Sequence, residues 1–305
     1  MAQDVQVEVE GRRLNLTNLD KVLYPETGFT KGQVIDYYTR VAPAVLPHLR
    51  DRPLTLKRYP NGVDAPFFYE KQCPQHRPDW VETAEVWSRH SKRTIGYCLV
   101  NDLPALVWVA NLASLELHTQ LHCGADPDRP TMVAFDLDPG PPADVLDCAQ
   151  VALWLREVLG DLGLEAFAKS SGSKGMQVYV PLNTPKVTYD DTKGFARALA
   201  QLLEKQHPKD VVSVMRKDLR KGKVFIDWSQ NDEHKTTVCV YSLRARPEPT
   251  VSTPVSWDEV EKAHDSGNAD ALKFEAPDVI DRVSKHEDLF APVVELEQRL
   301  PSLGR

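Results

Sequence analysis

Long apolar runs are missing from this chain of 305 residues, and no segment approaches the length that a membrane-spanning helix needs. The first residues, MAQDVQVEVEGRR, also lack the apolar segment of a secretion signal. These two absences predict a cytoplasmic protein that does not enter a membrane. Internal repeats and low-complexity segments are absent as well, and a content of 42% hydrophobic and 27% charged residues indicates a globular chain with a packed core.

Paired cysteines and an excess of positive charge are also missing. The five cysteines are an odd number without CxxC spacing, which argues against a disulfide framework and predicts reduced thiols. The net charge of -7 excludes a nonspecific polycation, although net charge does not say where the basic residues lie.

A zinc site is suggested by His118 and His122, which are close in sequence, with Cys73, His76 and Cys123 as possible further ligands. Alternating leucines around the two histidines predict a strand, which would separate them by about 13 Å. One zinc ion with Zn–N bonds of about 2.0 Å cannot bind both. We therefore expect no zinc.

Strands and helices are predicted in a regular order from residue 131 onward. The pattern gives a strand ending at Asp138, a helix over 143–159, strands over 164–169 and 176–182, a helix capped by Thr188, and a final strand pair. This β-α-β-β-α-β order is the split βαβ arrangement of ferredoxin-like and RNA-recognition-like folds.

The whole chain is therefore predicted to be α+β, with three parts. An amino-terminal α/β subdomain (1–130) contains a helix that begins at a Thr30–Gln33 capping box and a second helix capped by Asn101. The RNA-recognition-like catalytic subdomain follows (131–246). A proline-rich tether and a carboxy-terminal helical annex, with a further capping box at Ser256 and Glu259, complete the chain (247–305).

Three acids lie on predicted strands whose other face is apolar. In MVAFDLDPGPP (132–142), Asp136 and Asp138 share one face, with Cα atoms about 6.6 Å apart at about 3.3 Å per residue. Like charges this close repel unless a cation lies between them. Asp227, in KVFIDWSQN (223–231), is on a strand that can approach the first one in a split βαβ sheet.

Three carboxylates around two divalent ions about 3.5 to 4 Å apart are the arrangement used for in-line phosphoryl transfer. Ligands that are all oxygen favour Mg²⁺ or Mn²⁺. We therefore predict that Asp136, Asp138 and Asp227 are catalytic residues and metal ligands, with solvated surface acids as the alternative interpretation.

Two basic segments accompany these acids. SSGSKG (170–175) can cradle a polyphosphate with its backbone N–H groups and Lys174, although it is not a P-loop and a flexible hairpin is the alternative. RKDLRKGK (216–223) contains five basic residues and leads into the strand of Asp227, and RAR (244–246) adds two arginines. We expect these cations to hold phosphates beside the metal site.

Aromatic residues are grouped in APFFYEK, next to Lys57 and Arg58. Phe67, Phe68 and Tyr69 cannot all face one core on a strand, so at least one of them should be exposed. Exposed aromatics among cations suit stacking on an unpaired base. Core packing remains the alternative for Phe67.

Several motifs, in order along nearly the whole chain, resemble those of the archaeo-eukaryotic primase superfamily, and specifically the bacterial primase-polymerases related to the polymerase module of ligase D. The motifs are LTNLDKVLYPETGFTK, RYPNGVDAPFFYEKQ, LELH, FDLDPG, SGSKG, KVFIDWSQN, KTT and YSLRAR. The resemblance implies a primase-polymerase fold and two Mn²⁺ or Mg²⁺ ions at Asp136, Asp138 and Asp227. Ligase and nuclease modules are absent, so we expect a stand-alone enzyme or an isolated domain.

The resemblance also implies where substrates bind. Asn18, Lys21 and Lys31 are expected to form a pocket for a downstream 5′-phosphate, and Phe68 and Tyr69 are expected to stack on template bases. The residues assigned to the incoming nucleotide are Lys57, His118, Ser171, Ser173, Lys174, Gln177, Arg220, Arg244 and Arg246. One of these departs from the family pattern, because relatives read SGSKGLH where this chain reads SGSKGMQ. Gln177 can donate a hydrogen bond but cannot carry charge.

The function that follows is DNA primase-polymerase activity, filling short gaps with ribo- or deoxyribonucleotides during end joining or base excision repair. The expected partners are gapped or broken duplex DNA with a downstream 5′-phosphate, nucleoside triphosphates and a DNA ligase, in the cytoplasm at the nucleoid. The alternative is a catalytically weak module that binds DNA ends or gaps. Primer extension with Mn²⁺ separates the two.

Overall fold

Helices and β-sheets occur throughout the computed structural model of the chain, which describes residues 4–88 and 91–301. The α+β class expected from the sequence is confirmed. Among the described residues, no helix combines the length and the apolar character needed to span a membrane. The chain forms two compact units, one from residues up to 125 with 236–252 and 275–288, the other from 126–235, 253–274 and residues from 289 onward.

The first unit is built on a sheet with strand order β15-β9-β5-β8-β7, to which β6 adds along β5, and on two small hairpins, β1-β2 and β3-β4. Elements are numbered in chain order through both units. The strands are β1 Val5–Val9, β2 Arg12–Leu16, β3 Val22–Tyr24, β4 Phe29–Thr30, β5 Leu54–Arg58, β6 Phe68–Glu70, β7 Thr83–Ser88, β8 Arg93–Cys98, β9 Ser114–Thr119 and β15 Thr237–Val238, and the helices are α1 Lys31–Leu49, α2 Leu103–Asn111 and α6 Ala276–His286.

The starts of α1 and α2 test two capping predictions. The predicted capping box of α1 is confirmed. The Thr30 hydroxyl accepts a hydrogen bond from the backbone N–H of Gln33, and the Gln33 side chain accepts one from the backbone N–H of Thr30. The prediction that Asn101 caps α2 is wrong. Asp102 takes this place, since its carboxylate accepts from the Ala105 N–H, three residues later, at 2.9 Å.

Cys73 and Cys98 form a disulfide, so the prediction that all five cysteines are reduced thiols is wrong for this pair. Cys98 ends β8, and the backbone N–H of Cys73 donates to the carbonyl of Gly96 at 2.7 Å, which holds the loop after β6 beside that strand. The separation of 25 residues gives no spacing signal, because the two thiols meet only when loop and strand lie side by side.

The second unit has a sheet with strand order β13-β14-β10-β12-β11-β16. In the predicted split βαβ order, β10 is the first strand, β12 the third and β14 the last. β10 therefore lies between β14 and β12, as that fold requires. The strands are β10 Met132–Pro139, β11 Phe167–Ser170, β12 Met176–Pro181, β13 Val211–Val212, β14 Val224–Asp227 and β16 Pro254–Val255. The helices are α3 Val145–Asp161, α4 Tyr189–Gln206, α5 Trp257–Ser266 and α7 Pro292–Glu295, with short 3-10 helices at 217–219, 228–230 and 269–272.

Strand β10 alternates as its sequence predicts. Val133, Phe135 and Leu137 are fully buried in the core with apolar residues of α3 and α4, which leaves Asp136 and Asp138 on the opposite face. At about 25 cal/mol per Å² of apolar surface, burying each of these three side chains contributes roughly 1.5–3 kcal/mol. The position of the acids thus follows from burial of their neighbours.

The proline-rich segment predicted as a tether is buried instead, with Val251, Ser252 and Thr253 without exposed surface. Pro254–Val255 form β16 at the edge of the second sheet, a position that tolerates proline. The capping box that begins α5 is confirmed. Residues 247–305 are distributed over both units, and the roles given to the three predicted parts stay predictions.

Candidate active site

Asp136 and Asp227 are direct neighbours on antiparallel strands of the second unit. Strands β10 and β14 pair in a register that places Asp136 opposite Asp227 and Asp138 opposite Phe225. Asp136 and Asp227 are half-buried, whereas Asp138 is exposed. The structure therefore brings the three predicted catalytic aspartates to one face of two paired strands.

A row of polar side chains continues from this pair across the sheet. Gln177 on β12 is the cross-strand partner of Asp136, and the buried Lys169 on β11 is the partner of Gln177. The Gln177 amide donates to Oδ1 of Asp136 at 2.9 Å and accepts from the Tyr179 hydroxyl at 3.3 Å. Gln177 thus orients one carboxylate, and its predicted contact with the nucleotide stays a prediction.

Asp227 is held by the turn that follows it. Its Oδ1 accepts from the backbone N–H of Ser229 at 3.0 Å, and its Oδ2 accepts from the side chain of Gln230 at 2.9 Å. The Lys235 ammonium in turn contacts the Ser229 hydroxyl. Within residues 4–88 and 91–301, no group of three or more His, Cys, Asp or Glu side chains is arranged to hold a metal ion.

Crowding of the carboxylates changes their acidity. Burial raises the pKa of Asp136, and the charges of Asp138 and Asp227 add to this while the Gln177 hydrogen bond opposes it. Burial and Asp227 also raise the pKa of Asp138, against the charge of Arg220. A divalent cation would relieve this repulsion, and a donor set of carboxylate oxygens suits Mg²⁺ or Mn²⁺. The residue types therefore fit the metal, although the described side chains are not preassembled as its ligands.

The loop 170–175 is packed tightly against β10. A Cβ atom on Gly175 would lie 2.0 Å from the carbonyl oxygen of Leu137, so only glycine permits this approach. The Ser171 hydroxyl accepts from the backbone N–H groups of Ser173 and Gly175, both at 3.2 Å, which shapes the turn. Lys174 is exposed at its tip. The predicted phosphate loop is thus anchored between Asp136 and Asp138.

Of the basic run 216–223, Arg220 lowers the pKa of Asp138 by its charge, against the effects of burial and Asp227. Its guanidinium lies 3.7 Å above the ring of Phe225, the partner of Asp138, and donates to the Met215 carbonyl. Arg216 pairs with Asp218 instead. The expectation that the run lies at the metal site stays a prediction for Arg216.

The other predicted nucleotide-binding cations belong to the first unit, where they surround Glu116. The Lys57 ammonium lies 3.2 Å and the Arg244 guanidinium 3.5 Å from its carboxylate, and His118 Nε2 lies 2.9 Å from Oε2. Arg246 follows on the same segment, its backbone N–H donating to the Arg244 carbonyl. Lys57, His118 and Arg244 are therefore one charged cluster, centred on a buried acid.

The aromatic residues of β6 divide between two faces. Phe68 lies against the Arg58 guanidinium, 5.1 Å from ring centroid to Cζ. Tyr69 lies on the other face, with its ring centroid 6.1 Å from that of His118 and 5.7 Å from the Lys57 ammonium. Phe67, Phe68 and Tyr69 are all exposed. The core alternative for Phe67 is thus wrong, and Phe68 and Tyr69 cannot stack on the same base.

The predicted phosphate-binding residues line one cavity of about 570 Å³ in the first unit. Asn18, in the left-handed backbone region, and Lys21 are exposed at its rim, and Lys21 donates to Asn61 at 2.8 Å. Lys31 is buried and donates to the backbone and hydroxyl oxygens of Thr17. Burial, followed by the charges of Lys21 and Arg58, lowers the pKa of Lys31 to about 8. The structure brings the three predicted residues together around a basic cavity.

The sequence interpretation misses Glu116 and Lys169. Glu116 stands two positions before His118 on a strand, so period-two alternation would have placed both on one face. Lys169 comes at the end of a strand, directly before the loop 170–175. Both signals are weak by themselves, because a buried charge is recognised only from its partners.

Comparisons with known proteins find relatives that match most of the chain. The family model described as LigD, primase-polymerase domain, matches residues 30–290. The multifunctional non-homologous end joining protein LigD of Mycolicibacterium smegmatis is 43% identical over 92% of this chain and 36% of that protein, and the bifunctional LigD of Bacillus subtilis is 32% identical over 90% of this chain and 43% of that protein. A solved structure, the polymerase domain of Mycobacterium tuberculosis ligase D in complex with DNA, has a TM-score of 0.86 and 39% identity over 94% of this chain and 99% of that one. The chain spans well under half the length of these curated relatives.

Proposed function

This chain belongs to the LigD primase-polymerase domain family, a family of nucleotidyltransferases, and we propose that it performs template-directed nucleotidyl transfer at short gaps in DNA. In this reaction a primer 3′-hydroxyl attacks the α-phosphate of a nucleoside triphosphate and pyrophosphate leaves. The observation that carries the proposal is the pairing of Asp136 with Asp227 beside Asp138, in a fold shared with a DNA-bound polymerase domain.

The three aspartates are the residues that would hold two divalent ions, Mn²⁺ or Mg²⁺. When bound, such ions lower the pKa of the attacking hydroxyl and neutralise charge on the leaving phosphates. Gln177 holds the Asp136 carboxylate in one orientation, and Tyr179 holds Gln177. The protein thereby fixes one ligand before any ion arrives.

In the second unit, the loop 170–175 and Arg220 are proposed to bind the phosphates. Lys174 supplies an exposed cation, and Ser171 and Ser173 supply hydroxyls in a turn whose position Gly175 fixes. Lys57, His118, Arg244 and Arg246 of the first unit are also proposed to be nucleotide-binding residues.

The cavity of Asn18, Lys21 and Lys31 is proposed to bind the 5′-phosphate downstream of a gap. Two ammonium groups and an amide can surround a dianion, and the pKa of Lys31 is lowered by its burial and then by the neighbouring positive charges of Lys21 and Arg58. Phe68, exposed beside Arg58 at this cavity, is proposed to stack on an unpaired template base, and Tyr69 on a separate base or on the nucleotide.

The repair setting is proposed from the relatives, which are non-homologous end joining proteins. Filling a gap leaves a nick, so the reaction requires a DNA ligase afterwards, and the same chemistry serves base excision repair. Both ribonucleotides and deoxyribonucleotides are proposed as substrates, and the reaction is proposed to take place at the nucleoid.

A second candidate is a module that binds DNA ends with little catalysis. It is favoured by one observation, that both oxygens of Asp227 accept hydrogen bonds from its own turn. In that case the phosphate cavity and Phe68 would act without the aspartates.

The test is extension of a primer across a gap of one to three nucleotides, with and without Mn²⁺ and with ribo- and deoxyribonucleotides. The gap carries either a 5′-phosphate or a 5′-hydroxyl downstream. Metal-dependent templated incorporation that is stronger with the phosphate supports the proposal. Binding of the phosphorylated gap without incorporation under any condition supports the end-binding candidate instead.

A further inference from the structure

The loop 71–82 joins β6 to β7 in the first unit, and the Cys73–Cys98 disulfide ties this loop to the sheet. Cys98 lies in β8, where it pairs with Leu54 of β5 and with Thr83 of β7. Strand β8 therefore has a neighbour on each side, which fixes the position of the Cys98 sulfur. Because Cys73 belongs to the loop, the bond fixes the loop with respect to the sheet.

Hydrogen bonds hold the two ends of the loop as well. The carbonyl of Gly96 in β8 accepts from the backbone N–H of Cys73 at 2.7 Å and from the Gln72 amide at 3.2 Å, and the Gly96 N–H donates to the Gln72 side chain at 3.3 Å. At the other end, the Glu82 carbonyl accepts from a backbone N–H just after β8 at 2.9 Å. Residues 75–80 between these ends are exposed or half-buried, so their position depends on the anchored ends.

The middle of the loop forms part of the cavity that is proposed to bind a 5′-phosphate. His76 and Pro78 line this cavity, and the His76 ring lies 6.5 Å from the ring of Trp108, which lines it too. Cys73 follows the end of β6 by three residues and precedes His76 by three residues. The disulfide is thus placed between the exposed aromatic strand β6 and one wall of the phosphate cavity.

Both sulfurs of the pair are shielded, since Cys73 and Cys98 are only 2% and 1% exposed. A reagent can reach them only when the loop moves away from β8. In cells, thiol pools keep most cysteines reduced, and the disulfides that do form there are usually transient and serve catalysis or redox sensing. A protein that fills gaps in DNA, as proposed above, works in such surroundings. We therefore expect the pair to exist in an oxidised and a reduced state.

We propose that Cys73 and Cys98 form a redox-sensitive clasp. The oxidised pair holds the loop 71–82 in the position that binds a 5′-phosphorylated gap, and reduction releases the loop and weakens this binding. The physical reason is preorganisation, because a loop that is ordered beforehand does not have to be ordered by the DNA. This inference rests on the proposed function and adds a regulation to it.

The clasp requires one oxidant and one reductant. A peroxide converts one thiol to a sulfenic acid with release of water, and the second thiol then displaces the hydroxyl of that acid, which leaves as water, to form the S–S bond. A dithiol reverses the reaction, because one of its sulfurs attacks the protein disulfide and its second sulfur breaks the mixed disulfide. The two protons of the dithiol end on Cys73 and Cys98, and the dithiol leaves as its own disulfide.

The test measures binding of the full chain to DNA with a one-nucleotide gap by fluorescence anisotropy, after oxidation with hydrogen peroxide or reduction with dithiothreitol. Alkylation of the thiols and mass spectrometry of the peptides that contain Cys73 and Cys98 verify the state of the pair. The reduced protein is expected to bind a gap with a downstream 5′-phosphate about two- to tenfold more weakly, the cost of ordering one side chain on binding. A gap with a 5′-hydroxyl should show a smaller difference, since the loop lines the phosphate cavity.

Two variants separate the clasp from the other thiols. Cys73→Ala should bind the phosphorylated gap as weakly as the reduced wild-type protein, and it should not respond to oxidation. Cys123→Ala removes a half-buried thiol of the same unit that is outside the disulfide, and it should keep the full difference between the two states. A redox response that persists in Cys73→Ala or disappears in Cys123→Ala overturns the role of the pair.

Hydrogen exchange of the wild-type protein in its two states gives a readout that needs neither a variant nor DNA. The backbone amides of residues 72–82 should exchange faster after reduction, while those of α3 in the second unit should not change. A pair that peroxide leaves as two thiols, unchanged exchange in the loop, or equal affinity of both verified states for the phosphorylated gap overturns the inference while leaving gap binding intact. A protein that binds neither gap in either state overturns the proposed function and the inference with it.

Discussion

The side-chain amide of Gln177 donates a 2.9 Å hydrogen bond to Asp136, its partner across β10 and β12. The bond gives a reason for an uncharged residue at this position, because the Tyr179 hydroxyl binds the amide oxygen and turns the amide nitrogen toward the carboxylate. An oriented carboxylate is a better metal ligand than one that must first select a rotamer.

Gln177→Leu should therefore weaken Mn²⁺ binding about tenfold, in the range found when a partner of a metal ligand is removed. Tyr179→Phe should have a smaller effect, since it leaves the Gln177–Asp136 bond in place. Free Mn²⁺ measured by electron paramagnetic resonance during a titration gives the affinity. Unchanged affinity in Gln177→Leu, in a titration where Asp136→Asn binds weakly, would contradict the orienting role.

Binding of a 5′-phosphate should depend on pH through Lys31. Its pKa of about 8 is below the ordinary lysine value because of burial and of Lys21 and Arg58, so Lys31 loses its charge as the pH rises through about 8. The phosphate is already a dianion above about pH 7. The preference for a phosphorylated gap over a hydroxyl one, measured by fluorescence anisotropy, should therefore decline between about pH 7 and about pH 9.5.

Two variants check this assignment. Lys31→Met should give a preference that is small and does not change with pH over that range, and Lys21→Met should reduce the preference while keeping part of the pH dependence. A wild-type preference that stays constant across the range would contradict the role of Lys31.

Phe68→Ala and Tyr69→Ala should have separable effects, because the two rings lie on opposite faces of β6. Phe68→Ala should weaken binding of gapped DNA about tenfold or more, since base stacking contributes about 1–3 kcal/mol. Tyr69→Ala should mainly raise the KM for the nucleotide, because Tyr69 contacts His118. Trp87→Ala, which removes a similarly exposed aromatic from β7, is the control and should change neither quantity. Equal loss of DNA affinity in the Phe68 and Tyr69 variants would refute the assignment of Phe68 to the DNA and Tyr69 to the nucleotide.

Gly175→Ala should impair both stability and activity. Its Cβ would meet the Leu137 carbonyl at 2.0 Å, so the loop 170–175 must move away from β10, at a cost of about 1–3 kcal/mol in the free energy of unfolding. Gly160→Ala, in helix α3 with no atom within 4 Å of the new methyl group, should instead stabilise by about 0.5–1 kcal/mol. Thermal unfolding of both variants measures these changes in stability. A Gly175→Ala protein as stable as wild type would contradict the close approach of Gly175 to the Leu137 carbonyl.

The sequence predicts the parts of the fold that depend on local pattern. The alternation in β10, the capping boxes at Thr30 and Ser256 and the helix cap at Thr188 require only neighbours a few residues away, and the structure has all of them. The Cys73–Cys98 disulfide and the strand at Pro254–Val255 depend on segments that are distant in sequence or on an edge position, which periodicity does not encode.

The residues of the candidate site also divide into those that the sequence predicts and those that depend on partners distant in sequence. Asp136 and Asp138 are predicted from one strand, and Asp227 from the adjacency of first and last strands in a split βαβ sheet. Glu116 was missed because its importance comes from Lys57, His118 and Arg244, which three different segments supply. Buried charges are defined by their partners, and those are known only from the fold.

The central claim, that the three aspartates support nucleotidyl transfer, is tested most directly by incorporation of one nucleotide into a one-nucleotide gap. Asp136→Asn and Asp227→Asn are compared with wild type at equal, measured occupancy of the DNA. Asp232→Asn, an acid of the same unit that pairs with Lys193, serves as the control. We expect both active-site variants to lose about a thousandfold or more in rate while binding gapped DNA within a few-fold of wild type, since metal ions stabilise mainly the transition state. Incorporation at wild-type rate by either variant would contradict the account.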